Sequence, residues 1–109
     1  MGIDTKDILI VIVTTPTKEE AEKISDTVVR ARQAACATII PLVHSTYWWD
    51  GKVMNDQETM IFLKTTGGKF QSLQDTIKNI HTNQVPEIIA IPVTNGLPQY
   101  IDWVLNETS

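Results

Sequence analysis

The hydrophobic and polar positions at the start of the chain predict a buried strand followed by an amphipathic helix. The run Asp7–Thr14 is almost wholly apolar and rich in β-branched residues, which is typical of a central strand covered on both faces. Thr15-Pro16 ends the run, and Thr17 with Glu20 three residues later matches a capping box. Apolar residues then recur at helical spacing, so we expect a helix that continues to about Ala34.

The next segment predicts a long antiparallel hairpin. Strand-favouring residues run over Cys36–Trp49, and Asp50-Gly51 is a dipeptide preferred in tight hairpin turns. Pro41 inside the first strand predicts a bulge or an edge position there. We expect the return strand to be interrupted near Asn55-Asp56 and then to run through an apolar segment to Thr65.

The remaining pattern predicts two more helices and a last strand. Gly67-Gly68 ends the strand, and apolar residues at helical spacing then indicate a second helix that ends near His81. A strand over Ile88–Val93 follows, and Pro98 opens a short C-terminal helix. The order β-α-β-β-α-β plus a helix is the ferredoxin-like arrangement, an α+β fold with one antiparallel sheet and its helices on one face. We expect a single domain over residues 1–109.

The sheet face opposite the helices has no element assigned to cover it. The predicted strands are apolar on both sides, so we expect this face to be buried against another subunit of a symmetric homo-oligomer. The fold alone does not select a function, because acylphosphatases, RNA-binding modules, metal carriers and PII-type regulators share it.

Composition and charge narrow the class of protein. The 109 residues include thirteen acidic and nine basic side chains, and a net charge of -4 argues against nonspecific nucleic-acid binding. No apolar stretch is long enough to span a membrane, and Met1–Asp4 shows no basic start of a secretory signal. The single cysteine, Cys36, cannot form an intramolecular disulfide, which favours a reducing compartment and a cytoplasmic location.

Five segments together carry a family resemblance. They are Ala34–Cys36, Ser45–Lys52, Lys64-Thr65, Val85–Val93 and Tyr100–Trp103. Each motif alone is weak, but their number, order and spacing resemble the CutA family of divalent-cation tolerance proteins over nearly the whole chain. The resemblance implies a trimer of ferredoxin-like subunits similar to PII signalling proteins, a link to metal tolerance with copper binding in some members, and no known reaction.

Cys36 and His81 match the family's suspected copper ligands, so the resemblance implies a site for copper or another divalent cation there. A thiolate and an imidazole suit copper or zinc, but neither residue belongs to a local pair, so a site needs distant segments or two subunits. A small buried side chain is the alternative role for Cys36, and a helix-terminal residue is the alternative for His81. We expect no metal to be required for folding.

One loop departs from the family pattern. The family often has His-Pro-Tyr and an acidic residue before Val-Pro-Glu, whereas this chain has His81-Thr82-Asn83-Gln84 before Val85-Pro86-Glu87. The histidine is kept, and the aromatic and acidic positions are lost. A ligand pocket that used the tyrosine or the carboxylate is therefore altered here.

Three adjacent aromatic residues, Tyr47, Trp48 and Trp49, lie on one predicted strand. Their side chains alternate between the two faces, so at least one points away from its own subunit's core. We interpret them as part of a subunit interface or of a cleft between subunits, because such residues are enriched in these contacts. Core packing with one exposed ring is the alternative.

Three charged residues, Glu58, Lys64 and Glu87, lie inside or beside apolar strand segments. An unpaired charge would be costly there, so each is expected to have a partner. The partners are either one another across a subunit boundary or a small polar ligand in an intersubunit cleft.

The sequence therefore predicts a non-enzymatic, homotrimeric divalent-cation tolerance protein that binds copper or another divalent metal and acts in metal homeostasis. The alternative is a PII-like signalling or scaffold trimer that binds a small organic ligand between subunits and has no direct metal role. An acylphosphatase would need a phosphate-gripping arginine after the first strand, where the chain has Thr14–Thr17. An RNA-binding module would need a basic surface and several solvent-facing aromatic residues. We predict no catalytic residue.

Overall fold

The computed structural model describes residues 6–109, and Met1–Asp4, on which we predicted the lack of a secretory signal, lie outside the described residues. The described part folds into four strands and three α-helices. In chain order they are β1 (Ile8–Thr15), α1 (Lys18–Arg30), β2 (Cys36–Trp49), β3 (Lys52–Thr66), α2 (Phe70–Ile80), β4 (Ile88–Pro92) and α3 (Pro98–Glu107). A single turn of 3₁₀ helix, Gly67–Lys69, joins β3 to α2.

The four strands form one sheet in the order β2-β3-β1-β4. Every neighbouring pair is antiparallel, with β1 at the centre between β3 and β4. Together with the alternation of strands and helices, this confirms the predicted α+β ferredoxin-like fold with a C-terminal helix.

One face of the sheet packs against α1 and α2 to form the core. Alternate residues of β1, Leu9, Val11 and Val13, are buried on this face because side chains of a strand alternate sides. Val11 and Val13 share a cluster of buried apolar residues with β3 and the two helices; it also contains Ala21, Ile24, Val28, Ile61, Leu63, Leu73 and Ile77.

The opposite face of the sheet, called the open face below, carries Ile10, Ile12, Phe62, Ile89 and Ile91. The strand register sets Ile10 beside Ile91 and Ile12 beside both Phe62 and Ile89. Ile89 is 51% exposed and Ile91 is 48% exposed in the protomer. A row of large apolar side chains is therefore left facing solvent on this side.

The first helix is shorter than predicted. Thr17 caps it, its hydroxyl accepting from the Glu20 backbone N–H at 3.2 Å, but the helix ends at Arg30 and the prediction of an end near Ala34 was wrong. Arg32 adopts φ of 58°, which breaks the helix. Ala34 is buried in the core from the following turn, so the apolar spacing that suggested more helix reflects packing there.

The hairpin between β2 and β3 has the predicted two-residue turn. Asp50 and Gly51 have φ of 52° and 75°, as a turn with two positive φ angles requires. The predicted interruption near Asn55-Asp56 was wrong, since β3 runs without a break through these residues. Their polarity reflects exposure of the strand, and Thr46 donates to the Asn55 side-chain oxygen at 2.8 Å.

The predicted irregularity at Pro41 is confirmed by a shift in the β2–β3 register between Ile40 and Val43. Leu42 lies at this bulge with φ of 62°. Beyond it, residues 43–49 and 52–58 form a two-stranded extension, the hairpin arm, because β1 pairs only with residues 59–66 of β3. The arm therefore projects past the end of the central strand.

The arm exposes apolar side chains on both faces. Trp48 is 73% exposed and pairs with Val53 on one face, whereas Tyr47 and Trp49 lie on the other.

Helix α3 contacts β1 and β3, and its residue Glu107 forms an ion pair with Arg32 at 3.1 Å. No helix within residues 6–109 combines the length and apolar character needed to cross a bilayer.

Candidate functional site

The two residues predicted as metal ligands lie at different ends of the sheet. Cys36 begins β2 and pairs with Lys64, whose partner on β1 is Ile10, whereas His81 contacts Thr14. Cys36 and Thr14 are therefore separated by four residues along the strands, about 13 Å, and by two strand spacings across the sheet, about 10 Å. One protomer therefore does not bring the two side chains onto the same ion.

His81 is buried at the end of α2, and both of its ring nitrogens have partners. Nε2 lies 2.7 Å from the Thr14 carbonyl oxygen, and Nδ1 accepts from the Asn83 backbone N–H at 3.0 Å. The neutral ring therefore carries its proton on Nε2 and donates it to Thr14. A metal ion could bind the ring only by displacing one of these two partners.

Cys36 lies half-buried beside the C-terminal helix. Its Sγ is 3.6 Å from the Tyr100 hydroxyl, and this hydrogen bond, followed by burial and the charge of the thiolate, raises the pKa of Tyr100. The neighbouring Lys64 donates from Nζ to the Thr38 hydroxyl at 3.0 Å. Within the part of the chain that the structure describes, no group of three or more His, Cys, Asp or Glu side chains could hold a metal ion.

A cleft of about 890 Å³ lies between the hairpin arm and the loop that follows α2. It brings together four of the residues predicted for an interface or an intersubunit cleft: Tyr47, Trp49, Glu58 and Glu87. The other two lie elsewhere, Trp48 on the opposite face of the arm and Lys64 beside Cys36. Residues 82–85 of the loop form the wall that faces the arm.

The cleft is acidic and partly aromatic. Asp56, Glu58 and Glu87 supply carboxylates, and Tyr47 and Trp49 supply rings. The Tyr47 hydroxyl donates to the Asp56 carboxylate, and this hydrogen bond is the main cause that raises the pKa of Tyr47, with burial and the charges of Asp56 and Glu58 adding to it. Carboxylates and ring faces both attract cations, so the cleft favours a positively charged ligand.

Sequence reasoning missed Asp56 and the loop residues. Asp56 precedes Glu58 by two positions on β3, so the alternation of a strand could have put both on one face. Thr14 was also missed, although its hydroxyl donates to the Glu87 carboxylate at 3.4 Å. That contact spans most of the chain, and no local pattern in the sequence could indicate it.

Comparison with known proteins identifies relatives along nearly the whole chain. The family model described as CutA1 divalent ion tolerance protein matches residues 9–107. The divalent-cation tolerance protein CutA of Thermus thermophilus is 39% identical over 91% of this chain and 96% of its own length. The chloroplastic protein CutA 1 of Oryza sativa is 36% identical over 92% of this chain.

The chain spans about half the length of that rice relative, 56% of it, but nearly all of the bacterial one. Among solved structures, the divalent cation tolerance protein of Thermus thermophilus superposes with a TM-score of 0.92 at 38% identity. The match covers 94% of this chain and 99% of that one. Sequence and fold therefore agree on the same set of relatives.

Proposed function

Because this chain belongs to the CutA1 divalent ion tolerance family, we propose that it is a divalent-cation tolerance protein that works as a homotrimer and not as an enzyme. The observation that carries the proposal is the open face of the sheet. Two of its isoleucines, Ile89 and Ile91, stay about half exposed in the protomer, and exposed apolar patches of this kind mark protein interfaces. We propose that residues 1–109 act as one domain and that the open faces of three such domains meet.

The hairpin arm supports the same proposal. Its rings at Tyr47, Trp48 and Trp49 are exposed on both faces of a ribbon that projects beyond the central strand. Aromatic side chains of this size are typical anchors of subunit contacts. We therefore propose that the arm of each protomer contacts a neighbouring subunit. The cleft beside the arm would then be closed by that neighbour.

We propose that a divalent cation binds at the cleft between subunits. The cleft carries the carboxylates Asp56, Glu58 and Glu87, and hard cations prefer oxygen ligands. A protomer alone offers no complete donor set within residues 6–109, so a neighbouring subunit has to complete it. A copper site using Cys36 and His81 would need two subunits as well.

A second candidate function is that of a signalling or scaffold trimer that binds a small organic cation in the same cleft, without a direct metal role. The rings of Tyr47 and Trp49 beside the carboxylates favour this alternative, because ring faces bind organic ammonium groups. The side-chain amides of Asn83 and Gln84 could accept or donate hydrogen bonds to such a ligand.

We also propose a cytoplasmic location. The single cysteine, Cys36, is a free thiol in the structure, which suits a reducing compartment. Fractionation of cells that produce the full protein, with compartment markers, would test this directly. Recovery outside the cytoplasm would contradict it.

Native mass spectrometry of the purified protein, alone and with Cu²⁺ or Zn²⁺, tests the main proposal. We expect a trimer that takes up about one metal per subunit. Cys36→Ser would weaken copper retention if Cys36 and His81 are the ligands, whereas Glu58→Gln and Glu87→Gln would weaken it if the cleft binds the ion. A trimer that stays free of metal would favour the organic ligand, and a monomer would overturn the proposed assembly.

A further inference from the structure

The loop that walls the cleft is held by two side chains that do not line it. The Glu20 carboxylate of α1 accepts from the Thr82 hydroxyl at 2.7 Å through Oε1 and from the Thr82 backbone N–H at 3.3 Å through Oε2. His81 accepts from the backbone N–H of Asn83 at 3.0 Å. The first two residues of the loop are thus bound by consecutive hydrogen bonds, and we call Glu20, His81 and Thr82 the loop clamp.

Two side chains of the loop clamp, those of Glu20 and His81, are largely buried. The His81 side chain is 0% exposed and that of Glu20 is 10% exposed, and Nδ1 of His81 lies 3.4 Å from Oε2 of Glu20. A carboxylate this buried is costly unless hydrogen bonds satisfy it, and Thr82 supplies two. Glu20 lies in the first turn of α1, where the helix dipole also favours a negative charge.

The loop clamp connects the cleft wall to rigid parts of the fold. Glu20 is fixed by α1, and His81 is fixed by its contact with the Thr14 carbonyl oxygen on the central strand. Thr14 uses its hydroxyl on the Glu87 carboxylate, which lines the same cleft. One residue of β1 therefore links the clamped end of the loop to the carboxylate at the other end.

We infer that Glu20 and His81 are positioning residues that hold residues 82–85 in place as one wall of the cleft; this inference rests on the proposed use of the cleft. Thr82 and Asn83 both line the cleft, and the loop clamp fixes their backbone before any ligand arrives. A wall ordered in advance spares the ligand the entropy of ordering it. Release of the clamp by a change at Glu20 would therefore weaken binding although Glu20 does not line the cleft.

Amide hydrogen exchange and Zn²⁺ binding, measured on the full-length protein, test this inference together. Glu20→Ala removes both acceptors of Thr82, and we expect the amides of Thr82 and Asn83 to exchange about tenfold faster or more. Zn²⁺ affinity in calorimetry should fall by about tenfold. Glu20→Gln keeps an acceptor oxygen and should restore much of both properties.

Two further variants separate a positioning role from a general loss of stability. Glu19→Ala changes the adjacent, exposed glutamate of the same helical turn and should leave both readouts unchanged. Thr82→Val removes the hydroxyl that binds Glu20 while leaving the buried carboxylate and the helix intact, and should again speed exchange of the loop. Amides of the core strand, such as that of Val11, should keep their protection in every variant.

The outcomes separate this inference from the proposed function. If Glu20→Ala leaves the loop amides protected, or speeds their exchange with unchanged Zn²⁺ affinity, the positioning role is wrong. If the unaltered protein does not bind Zn²⁺, the proposed cation site fails by itself. Exchange of Thr82 and Asn83 then still decides whether the loop clamp holds the wall.

Discussion

Replacing Ile89 and Ile91 together by serine should dissociate the proposed trimer and leave the protomer folded. Each side chain is about half exposed in the protomer, so assembly would bury the remaining half. Fully burying an isoleucine contributes about 1.5–3 kcal/mol, so half of that is about 1 kcal/mol per side chain and about 6 kcal/mol for the six in a trimer. At about 1.4 kcal/mol for each factor of ten, the trimer should dissociate about four orders of magnitude more readily.

Sedimentation velocity over a range of concentrations measures this effect, with the 12.2 kDa protomer as the expected product. Circular dichroism would show that the dissociated variant keeps its helices and strands. Gln71→Ser with Lys78→Ser, two exposed positions on α2, provides the matched control and should sediment like the unaltered protein. If the isoleucine variant sediments like the unaltered protein at every concentration, the open face is not the interface and the reasoning fails.

Three further changes test the fold and the cleft. Thr17→Ala removes the cap of α1 and should lower the free energy of unfolding by about 1 kcal/mol in urea at fixed protein concentration; an unchanged midpoint would contradict the capping role. Leu63→Ala opens a cavity in the fully buried core and should cost about 3 kcal/mol in the same assay, and a loss well below 1 kcal/mol would show that the site is not close-packed. The pKa of Tyr47 is raised above 10.0 mainly by its hydrogen bond to Asp56, so Asp56→Asn should lower this pKa. Phenolate absorbance measures it, in a Tyr100→Phe background so that Tyr47 gives the signal. Because the pKa of Tyr47 is raised in the folded state, the stabilisation from this contact is fully present below pH 10 and is lost as the pH rises through the folded pKa. An equal Tyr47 pKa with and without Asp56→Asn would refute the assignment.

The elements of the fold could be predicted where local chemistry decides them. Thr17 and Asp50-Gly51 marked a helix start and a hairpin turn because a cap and a tight turn depend only on near neighbours. The end of α1 could not be placed the same way, since Ala34 is buried by distant parts of the chain. The interruption predicted at Asn55-Asp56 was wrong for a related reason: polar residues on an exposed strand have the same pattern as a break in the strand.

The candidate site was only partly predictable. Tyr47 stood out as one of three adjacent aromatic residues, and Glu58 and Glu87 because an unpaired charge is costly beside apolar strand segments; the cleft contains all three. The loop clamp could not be foreseen, since Glu20 and Thr82 are separated by 62 positions and neither is remarkable alone. Such contacts exist only after the helices have been packed against the sheet.

The topology of the sheet has a consequence for how the chain folds. Trp49 pairs with Lys52 across a two-residue turn, so the β2–β3 hairpin can form within microseconds. Val13 pairs with Ile88 after most of the chain has intervened, and closing that loop is slow. Strand β4 should therefore join last, and until it does the free edge of β1 can pair with other chains. Since β4 carries Ile89 and Ile91, two of the five apolar residues on the open face, the proposed association of subunits has to wait for the final step of folding.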